Sequence, residues 1–87
     1  MAGYKVLLKR SAAKEIAALP TRDWRRRVVE RIGALAAEPR LVGNQKLAGS
    51  DDTYRIRVGD YRILYEVDDD RREVTIFRIA HRKEAYR

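Results

Sequence analysis

Arginines alternate with apolar residues in the second half of the chain. The segment Tyr54-Arg55-Ile56-Arg57-Val58 has a period of two, which predicts a β-strand with Arg55 and Arg57 on one face. Two like charges on one strand face repel each other, so the arrangement is unfavourable unless an anion lies between them. A guanidinium group presents a planar fork of donors that matches phosphate and carboxylate oxygens. The pair is therefore a candidate anion site, although a solvated strand face would show the same spacing.

More cations follow towards the end of the chain. Arg62 opens the next apolar segment, and we expect it to be exposed near Arg57 across a hairpin turn. The C-terminal segment adds one histidine, three cations and one tyrosine: His81, Arg82, Lys83, Tyr86 and Arg87. Cations beside an aromatic ring are typical of RNA sites, because arginines hold phosphates and a ring stacks on an unstacked base. We expect these groups to converge with the strand arginines on one concave surface.

The composition excludes other chemistries. The 87 residues predict one domain over residues 1–87, and the absence of cysteine excludes disulfides, thiolate zinc sites and iron–sulfur clusters. One histidine does not make a transition-metal site, and the chain has neither a serine triad nor a glycine-rich phosphate loop. We therefore expect no metal and no cofactor. No apolar run approaches the roughly 20 residues of a membrane span, and no secretory leader is visible, so we expect a cytoplasmic protein without a membrane partner.

The charge indicates an anionic partner. The formal net charge is +7, with 15 arginines and 5 lysines, and such a chain binds nucleic acid or an acidic protein. Residues 1–52 carry +5 and residues 53–87 only +2. The half that holds the candidate site is thus the less basic one, which suggests one surface that docks and another that performs the chemistry.

Two helices are predicted in the first half. Residues 4–8 favour a strand, after which Ser11 is the expected N-cap of a helix that ends at Pro20. Thr21 is the expected N-cap of a second helix, which ends before Pro39. The apolar face of this helix recurs at spacings of three and four: Trp24, Val28, Ile32, Leu35 and Ala36. We expect Trp24 to anchor the core.

The second half predicts a β-meander. Residues 40–52 are interpreted as a long loop with a short extended piece around Lys46-Leu47. Strands are expected over residues 54–58, 61–67 and 74–81, joined by a Gly59-Asp60 turn and a solvated acidic turn over residues 68–72. The order βααβββ predicts an α+β fold, in which an antiparallel sheet carries the helical hairpin on one face.

The chain resembles the RelE/ParE superfamily of toxins from bacterial toxin–antitoxin modules, and it is most similar to the RelE branch. The segments that carry the resemblance are Lys46-Leu47-Ala48-Gly49, residues 54–66 and residues 79–87. Membership implies the RelE-like fold and cleavage of mRNA in the A site of a translating ribosome. The RNA's own 2′-hydroxyl would attack the adjacent phosphate without a metal. An acidic antitoxin would cover the basic surface and hold the toxin inactive.

The resemblance also implies roles for individual residues. Arg55 and Arg57 would bind the phosphate, and Arg62 would share the stabilisation of its extra negative charge. Arg82 would neutralise or protonate the leaving 5′-oxygen, and Tyr86 would stack on the base. The best-known RelE toxins have lysines at the first two positions. Because arginine does not act as a base, phosphate binding is the better supported role there.

Further residues are candidates for the base and for docking. His81 is a candidate base because it has the only side chain with an unperturbed pKa near neutrality, although a structural histidine is equally compatible with this position. Docking to RNA or the ribosome is expected of basic residues outside the catalytic set: Arg22, Arg25, Arg26, Arg31, Lys46, Lys83 and Arg87. Two alternatives remain open, namely a ParE-like toxin that inhibits DNA gyrase without chemistry of its own and a degenerate module that only binds its antitoxin.

Overall fold

The described part of the chain contains two helices and a five-stranded sheet. The computed structural model describes residues 3–40, 45–46, 53–81 and 83, with only the backbone for residues 45 and 46. The elements in chain order are β1 (Lys5–Leu8), α1 (Arg10–Ala17), α2 (Arg22–Ala34), β2 (Gln45–Lys46), β3 (Thr53–Val58), β4 (Tyr61–Asp68) and β5 (Glu73–His81). The predicted α+β class is confirmed, as is the succession of a strand, two helices and a meander. The extended piece expected near Lys46 forms β2, which adds one strand ahead of the predicted meander.

The sheet order is β1-β5-β4-β3-β2. Strands β3 to β5 are antiparallel neighbours, as predicted for the meander, and β2 pairs antiparallel with β3 as a further strand. In contrast, β1 pairs with β5 in parallel, with Lys5 opposite Glu73 and Leu8 opposite Ile76. The sheet is therefore mixed and not purely antiparallel. The helices and the meander together form the crossover that a parallel neighbour requires.

The two helices begin in different ways. Thr21 caps α2 as predicted, because its Oγ1 accepts a hydrogen bond of 3.1 Å from the Trp24 N–H. The prediction for Ser11 was wrong, since Lys9 is the N-cap residue of α1 and provides no side-chain cap. Ser11 lies inside the first turn, with its Oγ 3.5 Å from the carbonyl oxygen of Phe77. The packing of α1 against β5 determines where this helix begins.

Helix α1 covers the edge of β5 that extends beyond β1. The Glu15 carboxylate accepts a hydrogen bond of 2.8 Å from the Ile79 N–H. The Lys9 N–H donates to the carbonyl of Ile76 at 2.9 Å. These contacts satisfy backbone groups that an uncovered strand edge would offer to another chain.

The core lies between the helices and one face of the sheet. Val28, Ile32 and Leu35 of the α2 segment pack with the inward-facing residues of the central strands: Ile56, Ile63, Tyr65, Val67, Val74 and Ile76. Trp24 anchors this layer as expected, with its ring edge-on to Tyr61 at 5.0 Å between centroids. Within the described part of the chain, no helix is long and apolar enough to cross a membrane.

The turn between β3 and β4 packs directly on Trp24. Gly59 has φ +58°, as in the first position of a type II′ hairpin turn. A Cβ atom at Gly59 would come within 2.4 Å of the Trp24 ring carbon Cη2. Glycine is therefore required here both for the backbone conformation and for the close approach.

Candidate functional site

Four arginines share the sheet face that points away from the helices. Arg57 and Arg62 are direct cross-strand partners, and the next pair on this face is Arg55 with Leu64. On the other side of β4, Leu64 is opposite Arg78. Cross-strand partners lie on the same face, so the four side chains surround a small area, which we call the arginine face: Arg55, Arg57, Arg62 and Arg78. The predicted approach of Arg62 to Arg57 is confirmed.

Burial differs among these arginines. Arg57 is exposed, and its Nε donates to the Gly59 carbonyl at 3.0 Å. Arg62 was expected to be exposed, but it is half-buried and its Nη1 is fully buried. Arg62 lies on the central strand β4 with neighbours on both sides, whereas Arg57 lies next to the turn. A fixed guanidinium beside a freer one suits the binding of an anion at this end of the sheet.

His81 lies on the opposite face from these arginines. It is the cross-strand partner of Tyr61, and the two rings meet edge-on at 5.3 Å between centroids. Tyr61 in turn packs against Trp24 of α2. The expectation that His81 converges with the strand arginines was therefore wrong, because the register of β5 turns its ring towards the helices.

One ring nitrogen of His81 is engaged by the backbone. Its Nδ1 accepts a hydrogen bond of 3.2 Å from the Lys83 N–H. Lys83 itself is exposed. The other predicted C-terminal residues, Arg82, Tyr86 and Arg87, lie outside the described residues.

At the other end of β3, Arg40 connects the members of a polar cluster. Arg40 binds Asp69 through both Nη atoms at 3.0 Å, and its Nε donates to the Tyr54 hydroxyl at 2.8 Å. The Tyr4 hydroxyl donates to the same carboxylate at 2.7 Å. We call this group, Tyr4, Arg40, Tyr54 and Asp69, the Arg40 clasp. It fixes the beginning of the long connection to the strand that carries Arg55.

The hydrogen bonds of the Arg40 clasp shift the pKa values of Tyr4, Arg40 and Asp69. The pKa of Asp69 lies below its usual range, because Arg40 and then Tyr4 donate hydrogen bonds to the carboxylate. The same bonds act in the opposite direction on the donors. The hydrogen bond to Asp69 is the largest cause that raises the pKa of Tyr4, and likewise that of Arg40. The sequence analysis treated the acidic turn as solvated and missed this cluster.

Comparison with known proteins identifies the family. A family model described as "ParE toxin of type II toxin-antitoxin system, parDE" matches residues 6–86. The chain belongs to the RelE/ParE superfamily of type II toxins. The toxin is 37% identical to Toxin RelG of Mycobacterium tuberculosis over 87 residues, which covers 97% of each chain. It is thus a RelE-like toxin of a toxin–antitoxin module, as the sequence motifs indicated.

Solved structures support the same assignment. The toxin superimposes with a TM-score of 0.79 on a chain of the toxin–antitoxin complex RelBE2 from Mycobacterium tuberculosis, with 34% identity and coverage of 92% and 99% of the two chains. The archaeal RelE–RelB complex from Pyrococcus horikoshii gives a TM-score of 0.81, with 31% identity and coverage of 94% and 97%. The RelE-like fold predicted from the sequence is therefore confirmed.

The four arginines predicted for docking on α2 have different surroundings in the toxin. Arg22 is exposed at the start of the helix. Arg25 is half-buried and its Nη1 donates to the Leu19 carbonyl at 3.2 Å, so it ties α2 to the end of the preceding segment. Arg26 lies 2.8 Å from Asp23 and 3.9 Å from Glu30, which partly neutralise it.

Arg31, the fourth of these arginines, lies beside a residue that the sequence analysis missed. Both Arg31 and Arg27 line a cavity that also reaches Arg57 of the arginine face. The spacing of four between Arg27 and Arg31 places them on one helix face, and this signal was available in the sequence. Lys46 is described only through its backbone, which pairs with Tyr54 at the edge of the sheet.

Proposed function

We propose that this RelE-like toxin is a metal-independent endoribonuclease that cuts mRNA in the A site of the ribosome. The observation that carries the proposal is the direct cross-strand pairing of Arg57 with Arg62, with Arg55 on the same face. Adjacent like charges on a sheet face are unfavourable on their own. A phosphate between them turns this repulsion into a set of charge-assisted hydrogen bonds.

The proposed reaction is an internal transfer at phosphorus. The 2′-oxygen of one nucleotide forms a bond to the adjacent phosphorus, and the bond from phosphorus to the 5′-oxygen of the next nucleotide breaks. The 2′-hydroxyl gives its proton to solvent water and the leaving 5′-oxygen takes one from solvent, so the products are a 2′,3′-cyclic phosphate and a 5′-hydroxyl. The phosphate gains negative charge on the way, and preorganised cations stabilise such a charge most effectively.

The proposal assigns this stabilisation to the arginine face. Arg55 and Arg57 bind the non-bridging oxygens, and Arg62 adds a third guanidinium from the central strand. We further propose that Arg82 neutralises the leaving oxygen and that Tyr86 stacks on the base. Arginine does not take the 2′-proton at neutral pH. The chain therefore acts mainly by positioning the RNA and by stabilising its charge. His81 lies on the helix side of the sheet, opposite these arginines.

The partner that silences the toxin is proposed to be an acidic antitoxin. The similar toxins from Mycobacterium tuberculosis and Pyrococcus horikoshii were solved in complexes with RelB partners. A net charge of +7 favours an acidic segment on this chain. Such a segment would compete with RNA for the same guanidinium groups, which is how antitoxin binding would block cleavage.

A second candidate function is inhibition of DNA gyrase. The family model that matches the chain is described by the ParE toxin of the parDE system, and this branch blocks gyrase without chemistry of its own. The arginine face favours cleavage of RNA, because a protein inhibitor has no need for four arginines gathered on one sheet face.

Expression without the antitoxin separates the two functions. We expect growth arrest with new 5′ ends inside translated mRNAs, and loss of these ends in Arg57→Ala. Arg71→Ala, which removes an exposed arginine from the acidic turn, is the matched control and should cut as the wild type does. Growth arrest with DNA breaks and intact mRNA would instead assign the toxin to gyrase. Unaffected growth on expression of the wild type would support a module that only binds its antitoxin.

A further inference from the structure

A cavity of about 440 Å³ lies between α2 and the turn that joins β3 to β4. Three of its lining residues are arginines from two different elements, Arg27 and Arg31 of α2 and Arg57 of β3. The remaining lining residues are Glu30, Ala34, Val58 and Gly59. We call it the α2–turn cavity. Its volume falls within the range of about 300–1,000 Å³ of small-ligand sites, so it has room for a phosphate with its sugar.

The α2–turn cavity is held in shape by the packing of Trp24. The glycine turn fits directly against the Trp24 ring, with no space for a Cβ atom at Gly59. The Arg27 guanidinium stacks over the same ring at 4.5 Å from its centroid. Arg57 is fixed from the other side by its Nε hydrogen bond to the Gly59 carbonyl. Two of the three cations are therefore oriented before any ligand binds, which lowers the cost of binding.

Within the described part of the chain, the three arginines have no counter-ion of their own. Across the described residues, no carboxylate lies within 4.0 Å of Arg27, Arg31 or Arg57. Glu30, the one acidic lining residue, is 3.9 Å from Arg26. Three cations against one carboxylate leave the α2–turn cavity with an excess positive charge. An anion bound here would relieve this repulsion.

We propose that the α2–turn cavity binds a phosphate of the RNA backbone other than the one that is cut. Guanidinium forks match phosphate oxygens. Among the described lining residues, only Ala34 and Val58 offer aliphatic contacts, whereas a protein partner anchors itself in apolar pockets. Arg57 belongs both to the cavity and to the arginine face. A phosphate held in the cavity would therefore set the register of the RNA for its neighbour on that face.

The inference rests on the proposed function, because it names a positioning subsite for the same RNA. It also assigns a role to Arg27, which would bind the phosphate in the cavity and not the phosphate that reacts. Phosphate contacts of this kind change the dependence of binding on salt. For single strands, the slope of log K against log salt falls by about 0.7 for each contact that is lost.

The test uses the full chain and a short single-stranded RNA with 2′-O-methyl sugars, which cannot be cut. Fluorescence anisotropy over a range of salt should give a slope that is smaller by about 1.4 in the double variant Arg27→Gln/Arg31→Gln. Arg10→Gln/Arg71→Gln is the matched control, because it removes the same charge from exposed arginines that do not line the cavity. Its slope should equal that of the wild type.

Trp24 offers an independent readout, since it is the only tryptophan of the chain and lies under Arg27. RNA should change its fluorescence in the wild type and in the control, but not in the cavity variant. Circular dichroism checks folding. If the double variant is unfolded, Arg31→Gln alone, which keeps the Arg27–Trp24 stack, should still lower the slope by about 0.7.

Equal slopes in the cavity and control variants would overturn the inference, since net charge alone would then explain the binding. Weaker binding of a polyglutamate peptide by the cavity variant, with unchanged RNA binding, would also overturn it in favour of an acidic protein partner. Failure of the cleavage proposal is distinguishable. If the cavity variant has a reduced slope but the wild-type toxin does not cut mRNA, the phosphate subsite stands and the ribonuclease proposal fails. If the wild type cuts mRNA but the cavity variant has an unchanged slope, only the phosphate subsite fails.

Discussion

The two ends of β3 hold arginines in opposite ways. Beside Tyr54, Arg40 uses all three guanidinium nitrogens within the protein, two on Asp69 and one on the tyrosine hydroxyl. Beside the hairpin turn, Arg57 uses one nitrogen on a backbone carbonyl. Its described neighbours in the α2–turn cavity, Arg27 and Arg31, add two more cations and no paired carboxylate.

At the two ends of β3, the difference distinguishes a guanidinium whose donors are filled by the protein from guanidinium groups that keep donors for a ligand. A guanidinium whose donors are filled by a carboxylate and a hydroxyl fixes the chain, and it has little left for a ligand. Guanidinium groups that are oriented by an aromatic ring or a single carbonyl keep most of their donors for an anion. The difference predicts that removal of the first kind changes stability, whereas removal of the second kind changes RNA binding and cleavage.

The largest expected effect is on catalysis at the turn end. Arg62→Ala should lower the rate of mRNA cleavage on purified ribosomes by about 100-fold or more, the usual cost of removing one group that stabilises charge in the transition state. Because Arg62 is half-buried, the melting temperature of the variant is measured first, and Arg62→Lys serves as the charge-retaining comparison. Cleavage at the wild-type rate by a folded Arg62→Ala protein would remove the arginine face from the mechanism.

The next effect is on stability at the same end. Gly59→Ala should lower the free energy of unfolding by about 2–5 kcal/mol, because the residue has a positive φ and its Cβ would collide with Trp24. Gly33→Ala is the control, since nothing lies within 4 Å of a Cβ at this helical position. It should stabilise the protein by up to about 1 kcal/mol. Chemical denaturation of both variants measures the contrast, and equal effects would contradict the packing described for the turn.

At the clasp end, Asp69→Asn should change stability in a pH-dependent way. The pKa of Asp69 is lowered in the folded state, so its contribution is present above the unfolded pKa of about 3.9 and is lost as the pH falls through the folded value. The wild type should therefore melt at a higher temperature than the variant near pH 7, and the two should converge in acid. Asp70→Asn is the control at the same turn. A difference in melting temperature between Asp69→Asn and the wild type that is the same at all pH values would contradict this role of the Asp69 carboxylate.

The smallest effect is expected from a paired arginine on α2. Arg26 is exposed and already contacts Asp23 and Glu30, and pairs of this kind contribute about 0.2–0.5 kcal/mol. Arg26→Gln should change the free energy of unfolding by no more than this amount. It should also weaken RNA binding less than Arg31→Gln does. Equal losses of RNA affinity in the two variants would show that docking depends on the net charge of α2 and not on the cavity.

Periodicity and turn chemistry predicted most of the fold. The alternation of residues 54–58 placed Arg55 and Arg57 on one face, and the short turn at Gly59 brought Arg62 beside Arg57. The threonine cap and the spacing from Trp24 to Leu35 predicted α2. These signals are local, because each depends on residues that are close together in the sequence.

Register and long-range pairing could not be predicted in the same way. Whether His81 faces the arginines or the helices depends on how β5 aligns with β4, and an irregularity at Leu64 and Tyr65 shifts that alignment. The parallel pairing of β1 and the bond between Arg40 and Asp69 join residues that are far apart in sequence. Arg78 joins the arginine face through the same register of β5 on β4. Arg27 reaches the α2–turn cavity because its spacing of four from Arg31 places both on one helix face.

Cleavage of an mRNA that carries a single 2′-deoxynucleotide at the cut site tests the central claim most directly. The toxin is added to ribosomes with this codon or its ribonucleotide counterpart in the A site, and the ends of the products are analysed. We predict that the ribonucleotide is cut to a 2′,3′-cyclic phosphate and a 5′-hydroxyl, and that the deoxynucleotide stays intact. Cleavage of the deoxy substrate, or no cleavage of either one, would contradict the account.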